Sequence, residues 1–107
     1  MNTVNGKNTQ STALDELIQA LLLLENTDEA ERFLKDLCTP QELSTLAERW
    51  RVCRMLNNTD LSYREIHDAT GASLATITRV ARFLKTEPHQ GYMRIINKMS
   101  DTKKTIT

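Results

Sequence analysis

The stretch from Ser62 to Leu84 constrains the fold more than any other part of the chain, because its helix signals are explicit. Ser62 and Glu65 match a capping box, in which each side chain satisfies a backbone N–H at the start of a helix. Gly71 marks the end of that helix, where a left-handed residue is needed. Ser73 can then cap a second helix, and two short helices joined by a glycine turn predict a helix-turn-helix.

The second helix of this motif has an outer face suited to DNA. Its apolar residues fall at helical spacing and predict the buried face: Ile77, Val80, Ala81 and Leu84. The other positions from Leu74 to Lys85 are mostly small, hydroxylic or basic, and none is acidic, whereas a solvated helix face normally mixes Glu with Lys. A DNA-facing helix uses small residues for close approach, Thr for hydrogen bonds and cations for phosphates. We therefore interpret it as a recognition helix, with a plain structural hairpin as the alternative.

The rest of the chain predicts an all-α protein of one domain. Apolar residues recur at three- and four-residue spacing, and the 107 residues include only three Gly and two Pro. We predict a helical domain over 13–99 with the helix-turn-helix at 62–85, a disordered arm over 1–12 and a flexible tail over 100–107. The other helices are predicted at about 12–25, at 29–37 with Asp28 as cap, at 40–58 with Thr39 as cap, and up to Met99.

The first predicted helix is apolar on nearly all sides. Leu14, Leu17, Ile18, Leu21 and Leu22 form a stripe, and the two leucines that follow broaden it. Such a helix must be covered on nearly all sides, which a monomer of this size can hardly do. The sequence therefore predicts a homodimer.

The charge is balanced overall but unevenly placed. Residues 1–38 carry a net charge of −4, and residues 39–86 and 87–107 carry +2 each. The neutral total argues against nonspecific polyanion binding, while the basic remainder allows a local phosphate-facing surface. No membrane span is predicted, and two lone cysteines, Cys38 and Cys53, suggest reduced core thiols in a cytoplasmic protein.

No catalytic or metal site is predicted. His67 and His89 have no nucleophile, orienting acid or metal cage at a readable spacing, so we predict that the chain is not an enzyme and binds no metal.

Four segments together resemble the Trp repressor family, in particular its Trp-repressor-like branch from Gram-positive bacteria. They are Thr39-Pro40-Gln41-Glu42, Arg49-Trp50-Arg51, Ser62-Tyr63-Arg64-Glu65, and Thr70-Gly71-Ala72-Ser73-Leu74-Ala75-Thr76-Ile77-Thr78-Arg79. The resemblance implies a six-helix fold that exists as an intertwined homodimer and binds double-stranded DNA. It further implies a pseudo-palindromic operator, read by two recognition helices about one DNA turn apart.

The resemblance also implies roles for particular residues. By the pattern of the family, the base edges would face Leu74, Ala75, Thr76 and Thr78. Arg64 and Lys85 would lie near phosphates, and His67 would replace a basic contact residue. We add Tyr63 and Arg82 to this predicted DNA-binding set.

The predicted effector pocket departs from the tryptophan-responsive members. There, the amino acid is held between the long helix and the recognition helix by two arginines, matched here by Arg49 and Arg79, with Thr39 matching a hydroxyl at the rim. Val80 and Phe83 replace a glycine and a serine, and would fill the space that an indole needs. We predict no useful tryptophan affinity. The arginines could instead hold the carboxylate of a smaller corepressor, or serve only as structure and phosphate contacts.

The sequence thus predicts a sequence-specific transcriptional regulator, a repressor of biosynthetic genes, with no certain cofactor. The alternative is a helical dimerisation or adaptor module that binds a protein partner and no DNA.

Overall fold

The computed structural model describes the backbone of residues 9–106 and the side chains of residues 12–100. The described residues form six helices and no strand, which confirms the all-α prediction. The helices are α1 (Thr9–Leu21), α2 (Thr27–Leu37), α3 (Pro40–Asn58), α4 (Tyr63–Thr70), α5 (Leu74–Lys85) and α6 (Gly91–Ile106). These residues fall into two compact units, the first ending at Thr39 and the second beginning at Pro40.

The first unit contains α1 and α2. Helix α1 begins at Thr9 and ends at Leu21, so residues 9–12 are helical where we predicted disorder, and the predicted end near Glu25 is wrong. Residues 1–8 lie outside the described part of the chain. Helix α2 begins earlier than predicted, because Asn26 is the cap: its side-chain oxygen accepts from the Glu29 N–H at 2.9 Å. Asp28, the predicted cap, lies in the first turn and pairs with Arg32 at 2.8 Å.

The second unit has a closed hydrophobic core. Helix α3 packs against α4 and α5, and α5 packs against α6. The buried residues come from each of these elements and from the turn before α5: Val52, Cys53, Ile66, Ala72, Ile77, Val80, Ala81, Leu84 and Ile96. Val52 and Cys53, both on α3, are fully buried. The core fixes the helix-turn-helix to the long helix, because both of its helices contribute residues to it.

Helix α6 begins at Gly91, after a turn in which Gln90 has a positive φ of 57°. Its backbone continues to Ile106, so most of the predicted flexible tail is helical. The apolar stripe ends near Met99, but polar residues continue the helix beyond it.

Candidate nucleic-acid interface

Helix α4 begins with the predicted capping box. The Ser62 N–H donates to Glu65 Oε1 at 2.8 Å, and the Glu65 N–H donates to Ser62 Oγ at 3.1 Å. Hydrogen bonding with the Ser62 backbone and side chain lowers the pKa of the Glu65 carboxyl, because it favours the charged form. The cap places Tyr63 and Arg64 in the first helical turn, where both side chains are exposed.

The turn between the two helices is fixed by side chains of α4. Gly71 adopts the left-handed conformation, with a φ of 80°, and its N–H donates to the His67 carbonyl at 2.8 Å. A Cβ at this position would meet no atom within 4 Å, so the backbone conformation alone favours glycine. The Ala72 N–H donates to Thr70 Oγ1 at 3.0 Å, and His67 Nδ1 lies 2.7 Å from the Ala72 carbonyl oxygen.

That last contact changes the interpretation of His67. The sequence predicts an outward DNA contact in place of a basic residue, and the ring is exposed as expected. However, one of its two nitrogens is engaged within the turn. The prediction overlooks this contact, since His67 and Ala72 meet only once the chain has reversed at Gly71.

Helix α5, the predicted recognition helix, begins as predicted. Ser73 is its cap: Ser73 Oγ accepts from the Thr76 N–H at 3.1 Å, and its hydroxyl lies 3.1 Å from Thr76 Oγ1. Leu74 is 57 % exposed, and Ala75 and Thr78 are exposed as well, whereas Thr76 is half-buried. All four predicted base-reading residues therefore lie within the first five positions of α5, and none of them belongs to its buried stripe.

Cations continue this outer face toward the end of α5. Arg79, Arg82 and Lys85 are all exposed. Arg82 is already engaged, because its Nε lies 3.5 Å from Glu87 Oε2 and its guanidinium carbon lies 5.2 Å from the centre of the Phe83 ring. Lys85 follows one turn later, so the predicted phosphate contacts at Arg64 and Lys85 belong to different helices of the motif.

Two of the predicted effector residues, Arg79 and Phe83, are in contact. Val80 is 1 % exposed and belongs to the core, as its place in the buried stripe of α5 predicts, and that it fills the space of an indole stays a prediction. The Arg79 guanidinium carbon lies 4.2 Å from the centre of the half-buried Phe83 ring, a cation–π contact. Arg49 lies on α3, whereas Thr39 belongs to the first unit.

An open cleft lies beside Arg79 and Phe83. Its volume is about 430 Å³, and the side chains lining it include Trp50, Arg79, Phe83, His89, Tyr92 and Ile95. His89 stacks on Phe83 at a centroid distance of 6.0 Å, and Trp50 meets Tyr92 at 6.2 Å. The sequence does not predict this grouping, because it depends on how the turn at Gln90 brings α6 against α3 and α5.

The ionisable groups near the cleft respond to burial. Burial and the neighbouring Cys53 raise the pKa of the Tyr92 hydroxyl, while Arg49 and Arg79 act in the opposite direction. The positive charges of both arginines thus act on the same Tyr92 hydroxyl. Burial also raises the pKa of the Cys53 thiol to about 11, which keeps it protonated and unreactive at neutral pH.

The family model of the Trp repressor protein matches residues 12–100. The chain belongs to the Trp repressor family. This confirms the resemblance drawn from the sequence motifs, and the family is one of DNA-binding transcription regulators.

Individual relatives agree with the Trp repressor assignment. An uncharacterized protein YerC of Bacillus subtilis (strain 168) is 39 % identical over 90 residues, covering 84 % of this chain and 85 % of that protein. A Trp operon repressor homolog of Xylella fastidiosa (strain 9a5c) is 32 % identical over 82 residues, covering 77 % of this chain and 89 % of its own length. The crystal structure of a TrpR-like protein from Eubacterium eligens ATCC 27750 superposes with a TM-score of 0.77 at 40 % identity, covering 90 % and 96 % of the two chains.

Among the described residues, no group of His, Cys, Asp and Glu side chains has the arrangement of a metal site. None of the helices in this part of the chain is both long and apolar enough to cross a bilayer.

Proposed function

We propose that this protein is a sequence-specific transcriptional repressor that binds a pseudo-palindromic operator as a homodimer. The observation that supports it best is the outer face of α5, which is exposed, rich in small and hydroxylic residues, and free of acidic residues from Leu74 to Lys85. That face stands on a helix-turn-helix whose caps are satisfied and whose inner side is buried.

The proposed contacts divide by chemistry. Leu74, Ala75, Thr76 and Thr78 contact base edges, where apolar groups meet thymine methyls and hydroxyls hydrogen-bond. Arg64 and Lys85 contact phosphates, with Tyr63 beside them at the start of α4. Arg82 can join the phosphate contacts when it leaves Glu87. Phosphate contacts position the protein and base contacts give the specificity.

The apolar surface of α1 and the loop after it supports the homodimer. Leu14 is 56 % exposed, Leu22 is 79 % exposed and Leu23 is 77 % exposed. Contiguous apolar surface of this kind typically marks an interface. The acidic charge of residues 1–38 complements the basic charge of residues 39–107, which favours a second copy as the occupant.

The decisive experiment selects fragments of the source genome that the purified protein retains, and then measures their affinity against salt. We expect a palindromic consensus sequence and a steep loss of affinity as the salt concentration rises, because the cationic side chains of the protein release counterions from the DNA. Thr76→Ala is expected to relax specificity at one or two positions of each half-site by ~1–3 kcal/mol. Arg64→Ala is expected to weaken binding to all sequences and to reduce the salt slope by about one.

Arg32→Ala is the matched control, since this exposed arginine lies on α2 and pairs with Asp28. It removes the same charge outside the proposed interface and is expected to leave affinity and salt slope unchanged. A dimer that shows no sequence-dependent binding even at low salt would contradict the proposal and favour the adaptor module.

We also propose that DNA binding does not depend on tryptophan. Phe83 lines the cleft beside Arg79 and occupies the face of that guanidinium, which supports the proposal. Isothermal titration is expected to detect no micromolar binding of tryptophan to the native protein. Phe83→Ser, which restores the small residue of the tryptophan-responsive members, serves as the comparison. Micromolar binding by the native chain would contradict the proposal.

A further inference from the structure

The link between α4 and α5 is held at one residue by two side chains. Ala72 is fully buried, so its methyl group cannot move outward without opening the core. Its N–H donates to Thr70 Oγ1 at 3.0 Å, and its carbonyl oxygen lies 2.7 Å from His67 Nδ1. Both backbone polar groups of a single turn residue are therefore bound by side chains of the last helical turn before it.

Thr70 uses its hydroxyl in both directions. The hydroxyl donates to the Ile66 carbonyl oxygen at 2.7 Å and accepts from the Ala72 N–H. Ile66 is itself fully buried, so this oxygen ties the turn to the core of the second unit. A valine here would have the same shape, but it would leave the Ala72 N–H without this acceptor.

The chemistry of the partner fixes the tautomer of His67. A carbonyl oxygen only accepts hydrogen bonds, so Nδ1 must carry the proton in the 2.7 Å contact. In the neutral ring, Nε2 is then an acceptor and offers no positive charge to a phosphate. A simple cationic contact with DNA would not require the hydrogen bond from Nδ1 to Ala72, whereas a role in orienting the turn does require it.

We propose that His67 and Thr70 are positioning residues for the recognition helix. Together with Ala72 they form a turn clamp that holds the backbone just before Ser73, the cap of α5. The clamp thereby presents Leu74 and Ala75 in one orientation before DNA binds. Preorganisation removes an ordering cost that binding must otherwise meet. Contacts to base edges depend on orientation more than contacts to phosphates do, so the clamp acts mainly on specific binding. This inference rests on the proposed function of the motif.

The test compares affinity for the selected operator with affinity for a scrambled duplex of equal length, each as a function of salt. Removing one clamp bond with His67→Ala or Thr70→Val is expected to weaken operator binding by about three- to tenfold. Binding to the scrambled duplex is expected to change less than about twofold, and the salt slope is expected to stay constant, because no phosphate contact is lost.

Two conservative variants separate positioning from charge. His67→Asn keeps a side-chain N–H near the place of Nδ1 and is expected to retain operator affinity within about threefold. His67→Lys supplies a cation without the planar donor and is expected to lose specificity. Thr70→Ser keeps the hydroxyl and is the matched control for Thr70→Val. Melting curves of every variant establish that the fold is retained.

Nuclear magnetic resonance of the free protein tests the clamp without DNA. We expect the His67 ring to carry a proton on Nδ1, and the amide signal of Ala72 to shift in Thr70→Val but not in Thr70→Ser. A ring protonated at Nε2 alone would overturn the proposal. So would a His67→Lys protein that binds operator as tightly as the native one while His67→Ala loses affinity for both duplexes equally. If the native protein selects no operator, the proposed function fails, and the tautomer still decides whether the clamp exists.

Discussion

The two units of this chain are similar in their content of apolar helices but differ in what they bury. Among the described side chains from Pro40 to Ser100, nine residues are buried, and Ile66 and Ile77 have no exposed surface. Among the described side chains of the first unit, 12–39, none is buried, and Leu22 and Leu23 are more than three-quarters exposed. The second unit thus closes a core with its own residues, whereas the first keeps apolar surface that only another surface can cover. Stability and assembly are accordingly expected to depend on different halves of the protein.

The largest effect is expected from charging the exposed leucines of the first unit. The double substitution Leu22→Asp and Leu23→Asp places two carboxylates on the proposed dimer surface. We expect sedimentation to show a monomer, and operator affinity to fall by about 100-fold or more because two linked half-site contacts become independent.

The control for this variant adds the same charge at exposed polar positions outside α1, Gln41→Asp with Ser44→Asp. It is expected to stay dimeric. Circular dichroism is expected to retain the helix signal of the second unit in both proteins. A charged variant that sediments as the native protein does would show that the first unit needs no partner.

A core substitution in the second unit is expected to act on stability instead. Ile77→Ala removes a fully buried side chain and is expected to lower the free energy of unfolding by about 2–5 kcal/mol in a denaturant titration. Leu74→Ala, on the exposed side of the same helix, is expected to change it by less than about 0.5 kcal/mol. Equal losses from both would mean that the two faces of α5 are not distinct.

The next largest effect is expected on the stability of the fold at alkaline pH, where Cys53 and Cys38 are expected to contribute differently. Burial raises the pKa of Cys53 from its usual 9.0 to about 11, so the unfolded chain loses this proton first. The stabilisation is complete below pH 9 and is lost as the pH rises toward 11, amounting to roughly 2–3 kcal/mol.

The alkaline loss is measured by denaturant titration between pH 8 and 11. Cys53→Ala is expected to flatten the pH dependence of the free energy of unfolding, even though this variant is less stable than the native protein at neutral pH. Cys38→Ala, at a half-buried residue of the first unit, is expected to leave the dependence as it is in the native protein. Identical slopes in the native and Cys53→Ala proteins would contradict the assignment.

The smallest effect is expected at the end of the recognition helix. Glu87→Gln removes the carboxylate that pairs with Arg82 and frees the guanidinium for phosphate. An exposed ion pair is worth ~0.2–1 kcal/mol, so operator affinity is expected to rise by at most about fivefold. Glu31→Gln breaks the pair with Lys35 on α2 and is the matched control, expected to have no effect. A fall in affinity with Glu87→Gln would show that Glu87 orders Arg82 for binding.

The sequence predicts best where a structure is determined by neighbouring residues. The caps at Ser62 and Ser73 and the left-handed Gly71 are all confirmed, because each depends on residues within one helical turn. The start of α1 and the end of α6 are wrong, since apolar periodicity says nothing about polar residues that continue a helix.

Contacts across turns could not be predicted in the same way. The bond of His67 to Ala72 and the stack of His89 on Phe83 join residues whose distance depends on how two helices are oriented. The burial of Val80 was predicted from helical spacing, whereas its filling of an effector pocket stays a prediction. The outward positions of α5 were predicted because helical spacing alone separates them from the buried stripe.

The hydrogen-bonded turn at Ala72 also bears on how this protein could acquire a new operator. The hydrogen bonds of the turn are made by side chains at 67, 70 and 73, while positions 74, 75 and 78 lie outside that set. Residues at those three positions can therefore be exchanged without disturbing the joint between the helices. Thr76 is different, because its backbone and hydroxyl both meet Ser73. A mutant library for altered DNA sequence preference would vary positions 74, 75 and 78 and keep Thr76. New specificity would then be selected while the turn between α4 and α5 stays unchanged.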